Sequence, residues 1–213
     1  MIALTVLNTP RADVVTDPCA QLIKHKAEEL RNAAAYGSAS VVSELLTLPQ
    51  AGSILDQPIG EQATTALMAA AKAGHVDVAL LLLRAGADVN MADAAGRTAL
   101  MLAAAAGEAS LFAPLLENGA DTAMKAANGC TALLFACGAD AAGVTDGGAS
   151  ASSSYGRHEA VERYLELCEA RGQPPGDMEL QAAMGVVRRH KCGSLVRLIE
   201  SRLEDETGAF TPR

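Results

Sequence analysis

The chain has 213 residues, half of them hydrophobic, enough for one sizeable core or a short array of stacked units. A net charge of −8 disfavours nucleic acid, whose phosphates an acidic surface repels. Aromatics make up only 3% and Trp is absent, so any core must come from helices that approach closely through small side chains.

The N-terminal MIALTVLNTP has an apolar run too short for a secretory signal, and residues 1–16 read as an extension. No window approaches the ~18 apolar residues of a membrane span. The five cysteines (Cys19, Cys130, Cys137, Cys168, Cys192) are widely scattered and read as reduced thiols. Together these features predict a soluble, cytoplasmic or nuclear protein.

Asp17-Pro18 is a helix start, Asp as cap and Pro at the first position. From there Leu22, Ile23, Ala27, Leu30 and Ala34 keep helical spacing, predicting one long helix over 18–36. Gly37 interrupts it, and Val41, Val42, Leu45 and Leu46 mark a second helix. The connector from Thr47 to Gln62 is long and carries Pro49 and Pro58.

A period then appears. Thr65-Ala-Leu-Met, Thr98-Ala-Leu-Met and Thr131-Ala-Leu-Leu start 33 residues apart. Gly74 and Gly107 follow their threonines at one spacing, Gly86-Ala-Asp and Gly119-Ala-Asp at another. A fixed period in this range means stacked units that cannot bury their apolar faces alone. Within one unit, Thr65 is an N-cap, and Leu67, Ala70 and Ala71 share a helix face. Gly74 stops that helix. Val78, Ala79, Leu82 and Leu83 give the second helix its stripe, and Asp88 to Gly96 has the Asn, Asp and Gly of a hairpin-like turn. In EASLFAPLLENG, Pro114 predicts a delayed second helix capped by Ser110, with Pro114 in the first turn, since an interior Pro costs ~3 kcal/mol.

In the next unit the glycine matching Gly74 is Gly156. The sequence AAGVTDGGASASSSYG before it reads as a flexible insertion near 140–156, with Ser152, Ser153 and Ser154 as candidate phosphorylation sites. GRHEAVERYLELCEARG then supplies the second helix. Asp177 can cap a last pair, built on Leu180, Ala183, Met184 and Val187, then Leu195, Val196, Ile199 and Leu203. Its Arg188, Arg189, Lys191 and Glu200 make it polar enough to close an array.

These units resemble ankyrin repeats. Asp93-Ala-Ala-Gly-Arg-Thr98-Ala-Leu-Met-Leu-Ala103-Ala104 and Gly74-His75 through Gly86-Ala-Asp-Val-Asn90 follow the family pattern. Ala66, Ala99 and Ala132 stand where the family has Pro, and Met68, Met101 and Leu134 where it has His. The resemblance implies an all-α ankyrin-repeat α-solenoid of about five helix-turn-helix units with hairpin-like connectors. The domain is expected over 17–206, in units near 17–58, 59–91, 92–124, 125–173 and 174–206, with 207–213 as a tail.

No catalytic arrangement is expected. His25, His75, His158 and His190 fall in different units, and the glycines punctuate helices without forming a phosphate-binding loop. Cys130 with Cys137, and His190 with Cys192, lack the further ligands of a metal set, so neither metal nor cofactor is expected. The resemblance implies protein binding through the connector tips and the exposed face of the first helices. By register that surface is Glu61, Gln62, Thr64 and Lys72, then Ala94, Ala95, Arg97 and Ala105, then Lys125, Asn128 and Cys130. Arg97 between Lys72 and Lys125 would form a basic row suited to an acidic segment. The expected role is a monomeric adaptor or scaffold for another protein; the alternative is an inhibitor or regulatory subunit of an enzyme such as a protein kinase.

Overall fold

The computed structural model describes residues 18–138, 154–189 and 193–207. The Asp17 cap, the 1–16 extension, most of the insertion with Ser152 and Ser153, His190, Cys192 and residues 208–213 lie outside the described residues.

Helices α1 (Pro18–Ala35) and α2 (Ala39–Leu46) form the first pair. A short α3 (Ala51–Leu55) follows inside the long connector, where the sequence predicts only a loop. It forms because Ile54 and Leu55 bury against α1 and close that end of the core. Then come α4 (Ala66–Ala73) with α5 (Val76–Arg84), and α6 (Ala99–Ala106) with a 3-10 turn (Ala109–Leu111) leading into α7 (Phe112–Glu117). The last two pairs are α8 (Ala132–Ala136) with α9 (Ser154–Ala170), and α10 (Asp177–Arg189) with α11 (Gly193–Thr207). Among the described residues there is no strand, only an isolated bridge between Ile59 and Thr64. The fold is an all-α solenoid.

The stacking follows from the repeat. First helices pack in the order α1, α4, α6, α8, α10, and second helices form a parallel row behind them. Leu30, Ala33 and Ala34 bury at the same register as Leu67, Ala70 and Ala71, then Leu100, Ala103 and Ala104. One leucine fills the gap and two alanines let the helices close on each other. Where the second unit buries Thr65 and Ala66, the first carries the half-buried Glu28 and Glu29, the latter paired with Lys26 at 2.7 Å. That face is therefore polar, as an array end requires.

Thr65 and Thr98 cap as expected, their hydroxyls accepting from the amides of Met68 and Met101 at 3.3 and 3.4 Å. Met68 and Met101 are themselves buried, filling with a flexible apolar chain the space of the family's His. Thr131 departs from this pattern: it makes no cap bond and its hydroxyl donates to the Glu179 carboxylate, tying α8 to the last pair.

Pro114 falls in the first turn of α7, where no helical amide is missed. Ser110 is not the cap, because the 3-10 turn carries the chain through it into α7. Gly156 does not end a helix. It lies inside α9, which already begins at Ser154, while the preceding helix stops at Ala136. Phe112 and Tyr164 join the third and fourth units edge to face, with ring centroids 5.9 Å apart. Burial raises the Tyr164 hydroxyl far above its ordinary value and pushes the Cys168 thiol up to about 11, so both are uncharged core groups at neutral pH.

Candidate protein-interaction surface

The connectors build the tips. In the middle one, Asp93 and Arg97 close a tight turn, the Asp93 amide donating to the Arg97 carbonyl at 3.0 Å. The Asp93 carboxylate holds the turn from inside, accepting from the amides of Ala95 and Arg97 at 2.9 and 2.8 Å. Its second oxygen accepts from Arg97 Nε at 2.8 Å and forms the ion pair with the guanidinium at 2.7 Å. The Asp93 side chain is 0% exposed and that of Arg97 only 16%.

Neighbouring tips are stitched backbone to backbone. The Ala94 amide donates to the Gln62 carbonyl at 2.9 Å, and the Ala127 amide to the Ala95 carbonyl at 2.9 Å. Main-chain groups that would otherwise face solvent are thus spent between units, and the side chains are left to face outward. Gly96 and Gly129 complete their turns with φ of +73° and +78°. The equivalent residue in the first of these tips is Ala63, at φ +50°. Left-handed backbone disfavours a residue with Cβ by roughly 1–2 kcal/mol, more than the ~0.4–1 kcal/mol by which glycine loosens the unfolded chain. Ala63→Gly is therefore expected to stabilise the protein by about 0.5 kcal/mol. Urea unfolding showing a lower midpoint would count against strain at this tip.

Glu61, Gln62, Ala94 and Asn128 are exposed on successive tips, with Ala95 half-buried among them. Thr64, Arg97 and Cys130 occupy one register on the returning limbs and are partly covered. Thr64 donates to the Ile59 carbonyl, the Cys130 amide donates to Asn128 Oδ1 at 3.0 Å, and burial pushes the Cys130 thiol up. Lys72 is exposed at the end of α4, Ala105 is half-buried at the equivalent turn of α6, and Lys125 is exposed just before its tip. The expected basic row thus reaches solvent as Lys72 and Lys125, because Arg97 is committed to Asp93. Ser154 opens α9.

Two residues of this surface carry no role in the sequence reading. Asp93 is one, visible only as a family-pattern aspartate. Tyr36 is the other. It precedes Gly37 as Ala73 precedes Gly74, so the alignment of NAAAYG with AAAKAG could have placed it on the same helix face.

Residues 30–126 match the family model for ankyrin repeats, in three copies. It is an ankyrin-repeat protein. No curated protein matches the chain. Ankyrin repeats generally mediate protein–protein interactions and are typically non-catalytic. Among the described residues of this ankyrin-repeat protein, no group of three or more His, Cys, Asp or Glu could hold a metal ion. No described helix is long and apolar enough to cross a membrane.

Proposed function

We propose that this ankyrin-repeat protein is a monomeric, non-catalytic adaptor that binds another protein through the tips and the exposed turns of the first helices, acting in the cytosol or nucleus. The observation that carries this reading is the stitched row of tips. Backbone bonds between units hold Gln62, Ala94, Ala95 and Ala127 in fixed relation while their neighbours Glu61, Lys72, Lys125 and Asn128 stay exposed. A surface organised before contact loses little conformational entropy on binding.

The test is capture of partners by wild type and by a Lys72→Glu, Lys125→Glu variant. Arg97 is left alone, since reversing it would put two carboxylates together in the Asp93 turn. Both changed side chains are exposed, so circular dichroism and Tm should be unchanged. A partner retained by wild type should be recovered at least about tenfold less by the variant, a loss of ~1.4 kcal/mol. Equal recovery would remove these lysines from the binding site. An enzyme recovered in stoichiometric amount, with its activity suppressed, would favour the inhibitor or regulatory-subunit role over the adaptor.

A further inference from the structure

We infer that Tyr36 anchors the interaction face, and that the partner segment it takes combines a bulky apolar side chain with a carboxylate. The inference rests on the reading of the tips and first-helix turns as the binding surface and names the chemistry that surface selects.

Tyr36 is 82% exposed, although it closes a helix whose neighbouring Ala33 and Ala34 are buried. Its register is that of Ala73 and Ala106, the last residues of the next two first helices, and Ala73 is likewise exposed. The turn after it is held against the second unit. His75 Nε2 lies 3.1 Å from the Ala35 carbonyl, and a Cβ on Gly37 would meet the His75 ring at 2.7 Å. The end of α1 is thereby fixed beside the end of α4, where Lys72 is exposed and in no ion pair among the described residues.

A rigid aromatic ring with two side-chain torsions loses little entropy on contact and is over-represented among residues that dominate binding. Lys72 on the adjacent unit, with Lys125 further along, supplies the charge complementarity. The chain as a whole is at −8, so an acidic segment is drawn only to this local site, by close contact.

A phage-displayed dodecapeptide library selected on the full chain provides the probe. The enriched peptides should combine Asp or Glu with Leu, Ile or an aromatic residue. The best of them, synthesised, should bind Tyr36→Ala about tenfold more weakly than wild type, Tyr36→Phe nearly as well, and Lys72→Glu more weakly. Full affinity for Tyr36→Ala with loss on Lys72→Glu, Lys125→Glu would overturn the Tyr36 anchor and leave the face itself standing. Enrichment of basic peptides, no enrichment, or binding indifferent to every variant would overturn both. Circular dichroism of Tyr36→Ala should match wild type, since the ring makes little of the core.

Discussion

Replacing Asp93 with alanine is expected to destabilise the protein by about 3 kcal/mol. The carboxylate accepts from two backbone amides and from Arg97, and none of its side chain is exposed. Removing it strands two amides and a guanidinium that is mostly covered. Such a pair, once formed, is not by itself evidence of stability, because taking both charges out of water offsets much of their attraction; breaking it from one side is what costs most. Asp93→Asn keeps an oxygen for the two amides and should therefore lose about half as much. Urea titration at an unchanged m value measures both. A loss below about 1 kcal/mol for the alanine variant would mean that the turn is held by its backbone alone.

The second large effect comes from comparing two glycines. Gly96 and Gly129 occupy the same place in successive tips with nearly the same φ, so backbone strain alone predicts equal penalties for alanine, roughly 1–2 kcal/mol. Their surroundings differ. A Cβ at Gly96 would sit 2.9 Å from the Ala127 nitrogen and 3.3 Å from the Ala126 carbonyl carbon, whereas at Gly129 it would meet nothing within 4 Å. The obstruction is backbone, which cannot rotate away as a side-chain end could. It also includes the amide that bonds Ala95. Gly96→Ala is expected to cost about 3 kcal/mol and Gly129→Ala about 1 kcal/mol. Amide exchange at Ala127 should accelerate in the first variant only. Equal losses in the two would show that the tips separate freely and that their stitching adds little.

The period of 33 residues, the threonine starts and the buried Leu-Ala-Ala rows were legible in the chain because each is local. Cap, helical stripe and glycine stop all lie within one unit, and repetition makes a weak signal strong. The same locality let Pro114 announce a delayed helix. The outward tip residues Glu61, Gln62 and Asn128 came from the family resemblance, carried over by register.

Tertiary structure decided the rest. Arg97 reads as a solvated cation until the turn closes, and closure places Asp93 against it through a backbone path that Gly96 permits. Thr131 repeats Thr65 and Thr98 in sequence, yet its hydroxyl goes to Glu179, which is 48 residues away. Ile54 and Leu55 become helical only because α1 offers them cover. Gly156, read as a stop, is carried inside α9, a helix that packs its Ala160, Val161 and Tyr164 into the core. Tyr36 gains its meaning from the neighbouring unit fixed beside it by His75. A local pattern records what a residue can do with the turn before and after it. Which of several polar partners it keeps is settled by groups brought from other units, and there the desolvation of a charge or the approach of a backbone outweighs the local preference.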